Sequence, residues 1–450
     1  MKKFASIALC CALVISLCAC KDNTQSGTES PAVSASDAAS GADSSTAEAS
    51  DTAQAPASSA EDTSSAPEET SEIEEVPYVL GGELTPTMIA NSRLNVGNQV
   101  RLAKVIKKLQ AGEKVTVAYL GGSITQGSSA GDDKCYARLT TNWLEEQFPD
   151  AEINYVRAGI GATGSYIGVH RANRDVLAYD PDLVFIDFSV NDTTERTEIN
   201  KQAYEGLIRK LWKAESAPAV VTIAMTQEDG TSFQQYHEEI VKKYDIPMIS
   251  YKNAILDVID KGYIKWTDIS GDNIHPNVPG HQILTDLITN YLQSVIDSVD
   301  AISGEESSLD VADPVTKYEN ASVLESANTT PESLGGFAIK SGLFGNFSEA
   351  WMIRSTDGQF SEDDAIVFKA SGTNIGILYG KLTSNAGIAE VYVDDQLCAT
   401  INADFSGGWG NYVEYEEVAA GLAEGEHTIK IVPVSTGSAA AFYVSGIAIS

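Results

Sequence analysis

The chain has 450 residues, too many for one ordinary hydrophobic core, and sets 63 Asp and Glu against 30 Lys and Arg, a net charge of −33. That balance leaves no basic footprint for phosphates, so nucleic acid is excluded as an expected partner, and it suits neutral substrates better than polyanions. Of six cysteines, Cys10, Cys11, Cys18 and Cys20 crowd the N-terminus and only Cys135 and Cys398 remain, which offers neither a disulfide framework nor a zinc spacing.

In chain order, Lys2 and Lys3 precede an apolar run from Phe4 to Leu17 that is too short to span a bilayer and reads as an export signal. It ends Leu17-Cys18-Ala19-Cys20, which resembles a bacterial lipobox. The resemblance implies a signal peptide over residues 1–20, Cys20 as the lipidated first residue of the mature chain, and anchorage by lipid to the outer face of a cell membrane. An ordinary signal peptide with chance cysteines is the alternative. Residues 21–76 are mostly Ser, Ala, Thr and acid, a composition that cannot bury a core and reads as a disordered tether spanning roughly 40 Å r.m.s..

Beyond the tether, periodicity predicts helices and apolar strands in alternation. Helices are expected at Asn98–Leu109, Tyr136–Phe148, Val169–Ala178, Gln202–Ala214, Phe233–Tyr244, Lys252–Lys261 and Gly280–Val299. Strands are expected at Lys114–Leu120, Ile153–Ala158, Leu183–Val190, Ala219–Met225 and Pro247–Ser250. This order predicts a parallel sheet covered on both faces, with its ligand site beyond the carboxyl ends of the strands. From about Ser303 only short strands follow, punctuated by Gly, Asn and Asp, from Val367–Lys369 to Ala441–Ile449. They read as an antiparallel β-sandwich or jelly roll. The expected division is an α/β domain over residues 77–302 and an all-β domain over 303–450, Cys135 and Cys398 falling one in each.

Ser123 ends the apolar run Val115-Thr-Val-Ala-Tyr-Leu-Gly-Gly-Ser123. A serine hydroxyl needs a base and an exposed turn before it is a useful nucleophile, and Gly121-Gly122 allows the turn. A helix N-cap is the structural alternative. His275 is the candidate base, because Asp272 stands three residues before it in a loop and can orient the ring. Asn191, after the strand Leu183–Val190, could supply a side-chain amide to a developing oxyanion, and the turn Gly159-Ile-Gly161-Ala162-Thr-Gly164 a backbone N–H. The turn also matches G-x-G-x-x-G, with Asp187 further on, which is the dinucleotide-binding pattern. Its place after the second strand, and an exported chain's poor access to nicotinamide cofactors, argue against that use.

Together the blocks Gly121-Gly-Ser123-Ile-Thr, Gly159-Ile-Gly-Ala-Thr-Gly, Val190-Asn191-Asp192 and Asp272-Asn-Ile-His275 resemble the SGNH (GDSL-like) hydrolase family, over about Lys114 to Gln293. The resemblance implies a flavodoxin-like three-layer α/β/α fold with an open crevice, and neither metal nor organic cofactor. It implies Ser123 as nucleophile, Asp272 and His275 as the acid and base of a triad, and Ser123 N–H, Asn191 and either Gly161 or Ala162 as oxyanion donors. Three residues depart from the family's pattern: Gly122 stands for Asp, Arg157 for Asn at the opening of the second block, and Ala162 for Gly. Gly122 points to the carbohydrate-esterase side of the family, hence to deacetylation of a polysaccharide or oligosaccharide. The C-terminal region looks like a carbohydrate-binding jelly roll. Among Tyr379, Trp409, Tyr412 and Tyr415, Trp409 in Ser406-Gly-Gly-Trp409-Gly is the candidate for stacking on a sugar. A glycan-binding lipoprotein with an inert hydrolase domain, or a lipase or acyltransferase of the same family, stays open as an alternative.

Overall fold

Lys114–Gly121 is apolar along nearly its whole length because both its faces are covered. Val115, Val117 and Tyr119 point into one core, Ala118 and Leu120 into another. The computed structural model describes residues 76–309, 315–344 and 347–450. The expected signal, Cys20 and the tether up to residue 75 lie outside these.

The α/β region opens with α1 (Pro86–Ser92) and β1 (Arg93–Asn95). Then come α2 (Val100–Gln110), β2 (Lys114–Gly121), α3 (Ser123–Gln126), α4 (Tyr136–Gln147), β3 (Glu152–Gly159), α5 (Ser165–Asp175) and β4 (Leu183–Asp187). It continues through α6 (Thr197–Lys213), β5 (Ala219–Ala224), α7 (Gln234–Lys243), β6 (Met248–Ser250), α8 (Tyr251–Asp260), α9 (Trp266–Ile269) and α10 (Val278–Ser298). The sheet order is β1-β6-β5-β4-β2-β3, parallel except for β1. Its five parallel strands thus follow the doubly wound order 2-1-3-4-5, and the order reverses beside β2, where Ser123 follows. Helices α1, α2, α4, α8 and α10 cover one face, and α5, α6 and α7 the other.

The strands of the C-terminal region are β7 (Ser322–Leu324), β8 (Ala338–Phe344), β9 (Phe347–Ser355), β10 (Ile366–Ser371), β11 (Asn374–Lys381) and β12 (Ile388–Val393). They continue with β13 (Gln396–Asn402), β14 (Tyr412–Ala420), β15 (Glu426–Val434) and β16 (Ala440–Ile449). They form two antiparallel sheets, β10-β15-β12-β13 and β14-β11-β16-β9-β8, with β7 on β16. A core of alternating residues such as Ile375, Ile377, Val391, Ile429 and Val444 lies between them. The other face of the larger sheet is also buried. Leu378, Val413 and Tyr415 join Tyr166 and Ile167 of α5 and Tyr204 and Leu207 of α6 in a single apolar cluster. Two glycines allow the close approach. A Cβ at Gly376 would lie 2.2 Å from the Tyr166 hydroxyl, and one at Gly206 2.9 Å from Tyr318. Cys135 and Cys398 are free thiols.

Helix α6 begins at Thr197, five residues before the predicted Gln202, and β7, β8 and β9 precede Val367, where the first C-terminal strand was expected. Two further boundaries have a local cause. Helix α5 begins at Ser165, four residues before the predicted Val169, because Asp192 from another segment accepts hydrogen bonds from both Ser165 N (2.8 Å) and Ser165 Oγ (2.5 Å). Strand β4 stops at Asp187 and not at Val190. The chain turns there, with Asn191 N and Asp192 N both donating to Phe188 O at 3.0 Å.

Candidate active site

Ser123 is the first residue of α3, a single turn that follows β2 and ends at Gly127 in the left-handed region, φ 96°. The turn packs tightly on the end of β3: a Cβ at Gly159 would lie 2.2 Å from Gln126 N. This fixes the serine above the sheet. Ser123 Oγ lies 2.8 Å from His275 Nε2, and His275 Nδ1 lies 2.8 Å from Asp272 Oδ2. With an ionised Asp272 as acceptor, Nδ1 carries the ring proton and Nε2 presents its lone pair to the serine O–H.

The loop carrying Asp272 and His275 is held at several points. Asp272 Oδ1 accepts from the N–H groups of Ile274 and His275, both at 2.7 Å. The single Ser270 O–H is shared between the carbonyls of Asp272 (2.9 Å) and His275 (2.7 Å), and Trp266 Nε1 donates to the Asp272 carbonyl at 2.6 Å. Partial burial pushes the Asp272 carboxyl up. The His275 ring and the two backbone N–H groups outweigh that and hold it below the usual carboxylate range. The other histidines are committed elsewhere. Burial drives His170 and His281 down to about 4, with His170 Nδ1 on the Tyr166 carbonyl and His281 Nδ1 accepting from Tyr136 N. His237 is bonded to Asp192 and His427 to Asp394.

The candidate oxyanion donors surround Ser123. Of the two backbone alternatives, the Gly161 N–H already donates to Gln126 Oε1 at 2.9 Å, whereas the Ala162 N–H has no partner among the described residues. Ala162 sits in the left-handed region at φ 59°, a conformation costing a β-carbon residue about 1 kcal/mol. The Asn191 side-chain amide likewise donates to nothing among the described residues. Its Oδ1 lies where a Cβ at residue 122 would be, 2.0 Å away. With glycine at 122, the Asn191 amide keeps this place beside Ser123; a larger residue would have to push it aside.

The glycines of the G-x-G-x-x-G turn have local reasons as well. Gly159 admits Gln126, Gly161 faces Gln126 Oε1 at 3.0 Å, and a Cβ at Gly164 would meet Asp192 Oδ1 at 2.4 Å. Asp187, the acid of the dinucleotide pattern, is 2 % exposed behind Thr125, and burial raises it to about 7. Arg157 turns away to an ion pair with Asp132 at 2.8 Å.

A cleft of about 620 Å3 joins these groups. It is lined by Ser123, Gln126, Gly161, Ala162, Asn191 and Asp272–His275, and on the other side by Trp409, Asn411 and Tyr412 of the C-terminal region. Trp409 is 71 % exposed, and its ring lies 5.2 Å from that of Tyr412 at an interplanar angle of 25°. Tyr379 and Tyr415 are buried and line no part of this cleft. Sequence reasoning did not single out Gln126, Asn411, Ser270 or Trp266. Asn411 stands two residues from Trp409, the one signal for it; the others show only as contacts in space.

Residues 119–283 match the model of the GDSL-like lipase/acylhydrolase family. A two-domain esterase active on acetylated mannans is similar in structure, with a TM-score of 0.73 and 30% identity over 80% of this chain and 98% of that one. A two-domain esterase active on acetylated mannans co-crystallized with mannopentaose is likewise similar, with a TM-score of 0.71 and 30% identity over 80% of this chain and 97% of that one. An A type blood alpha-D-galactosamine galactosaminidase of Flavonifractor plautii is 43% identical over 72 residues, which are 16% of this chain but only 6% of that protein's length.

Proposed function

Because the chain belongs to the GDSL-like lipase/acylhydrolase family, we propose that it is a serine esterase that removes acyl groups, acetyl above all, from a polysaccharide or oligosaccharide. The unbroken chain from Ser123 Oγ through His275 to Asp272 carries this reading. Ser123 Oγ attacks the ester carbonyl carbon as His275 Nε2 takes its proton, and Asp272 stabilises the imidazolium. The tetrahedral oxygen takes hydrogen bonds from Ser123 N–H, Ala162 N–H and the Asn191 amide. Its collapse expels the sugar hydroxyl, which leaves with the proton from His275. Water then attacks the acyl-serine as His275 takes one of its protons and passes it to Ser123 Oγ; the carboxylic acid departs and gives its remaining proton to solvent.

Acetylated mannan is the first substrate to try, given the similarity to the mannan-active esterase, and the Trp409–Tyr412 wall supports a sugar ring beside the nucleophile. Lipidation at Cys20 and the tether over residues 21–76 would hold the enzyme at the outer face of a cell membrane, within reach of such a polymer. Ser123→Ala is expected to abolish acetate release from acetylated mannan and from 4-nitrophenyl acetate alike; wild-type rates in that variant would sink the assignment. Trp409→Ala is expected to raise KM for acetylated oligosaccharides about tenfold, in line with the loss of one aromatic contact, while sparing the small ester.

A further inference from the structure

The segment bearing Asn191 is tied to the C-terminal sheet by a buried chain of hydrogen bonds that packing alone does not require. Tyr415 of β14 lies with its ring 4.0 Å from that of Tyr166, nearly parallel, and the Arg196 guanidinium sits 4.4 Å over its ring. Its hydroxyl donates to Asn200 Oδ1 at 3.1 Å. Asn200, in α6 and 2 % exposed, then donates through Nδ2 to the Asp192 carbonyl and to Thr194 Oγ1, both at 3.0 Å. Asp192 follows Asn191 directly. Its carboxylate accepts from Ser165 N and Ser165 Oγ and pairs with His237 Nε2 at 2.9 Å, closing the Gly159–Gly164 turn against the Asn191 segment. One buried residue therefore sets the spacing between the two segments that present Ala162 and Asn191.

We infer that Tyr415 is a positioning residue for the reaction: its hydroxyl, acting through Asn200 and Asp192, fixes the segment that presents Asn191 to the cleft. This rests on Asn191 as an oxyanion donor, as proposed above. The physical reason lies in the asymmetry of an amide. A hydroxyl that donates to Oδ1 obliges Nδ2 to face the Asp192 carbonyl. Without it the Asn200 oxygen is buried and unpaired, and the amide can turn that oxygen towards the carbonyl, which repels it. The ring of a phenylalanine would keep the stack on Tyr166, so packing and hydrogen bonding separate at this position.

The test compares Tyr415→Phe and Asn200→Ala in the full chain, with 4-nitrophenyl acetate as a substrate too small to need the Trp409 wall. Both variants are expected to lose about tenfold in kcat with KM within about twofold, as misplacement of a transition-state donor does. Lys317→Met serves as the control. It removes the ion pair to Glu417 on the same strand (2.6 Å), which has no hydrogen-bond path to Asp192 among the described residues, and is expected to lower the melting temperature with kcat unchanged. A wild-type kcat in either relay variant overturns the inference, and so does an equal kcat loss in Lys317→Met, which would mean that loosened docking suffices. If Tyr415→Phe is insoluble, Asn200→Ala decides from the other end of the same chain. Failure of the functional reading shows separately, as Ser123→Ala retaining activity.

Discussion

A methyl group at residue 122 would sit 2.0 Å from Asn191 Oδ1, although Gly122 itself, at φ −89°, has a backbone any residue can adopt. The clash falls on the free end of a side chain that can swing aside, so Gly122→Ala separates catalysis from stability. We expect the variant to melt within about 2 °C of wild type while kcat on an acetyl ester falls about a hundredfold, the cost of one lost oxyanion donor. A variant of full activity would show that Asn191 is not needed where it stands. The four sequence blocks name Ser123, Asn191, Asp272 and His275, and the fold brings these together, because each block ends a strand or fills a loop at the same edge of the sheet. What the blocks could not carry is the competition for the Gly161 N–H. Gln126 is three residues from Ser123 in sequence, and only the close packing of α3 on β3 turns its side chain onto that amide.

At the level of elements, legibility follows the source of the signal. Strands such as β2 and β4 show as apolar runs, since their burial comes from neighbours on both faces. The start of α5 does not show, since its cap is a carboxylate 27 residues away in sequence. Strand β11 was legible as a strand, but its lack of alternation reflects a second partner, the α/β region against Leu378, which no local pattern announces. The turn between β12 and β13 has a clamp with a pH window. His427 Nδ1 lies 2.7 Å from Asp394 Oδ2, and its Nε2 2.9 Å from the Ala423 carbonyl, so both nitrogens face acceptors and the imidazolium is favoured. Asp394 first, then that carbonyl, raises the histidine above its ordinary value of about 6.5, and His427 in turn holds Asp394 low. A raised histidine contributes stability in full below its unfolded value and loses it as pH climbs through the folded one; the lowered Asp394 sets the acid limit. The melting temperature of wild type minus that of His427→Gln should be largest near about pH 6 and shrink towards about pH 9. A difference that stays flat over that range would refute the clamp.

At the scale of the whole molecule the two regions share one interior. Tyr166 and Ile167 of α5 share an apolar cluster with Leu378, Val413 and Tyr415, and Arg196 pairs with Glu414 and Glu416 across the junction. The buried Glu319 accepts from Arg209 of α6 and also pairs with Lys213. Cutting the chain after Ser303 would return Tyr166 and its neighbours to water. Each large apolar side chain so exposed costs about 1.5–3 kcal/mol, against a total stability of about 5–15 kcal/mol for a domain. Removing Glu319 also breaks its buried 2.5 Å ion pair with the Arg209 guanidinium. A fragment of residues 76–303 is therefore expected to be poorly soluble or to melt at least about 10 °C below the full chain by circular dichroism, even though it holds Ser123, Asn191, Asp272 and His275. The same fragment lacks Trp409, Asn411, Tyr412 and Tyr415, so any soluble portion should turn over acetylated oligosaccharides more slowly than the full chain by a larger factor than it does 4-nitrophenyl acetate. If it melted within about 3 °C of the full chain with both substrates unaffected, the C-terminal sheets would be an appendage, and the shared interior would have no bearing on stability or catalysis.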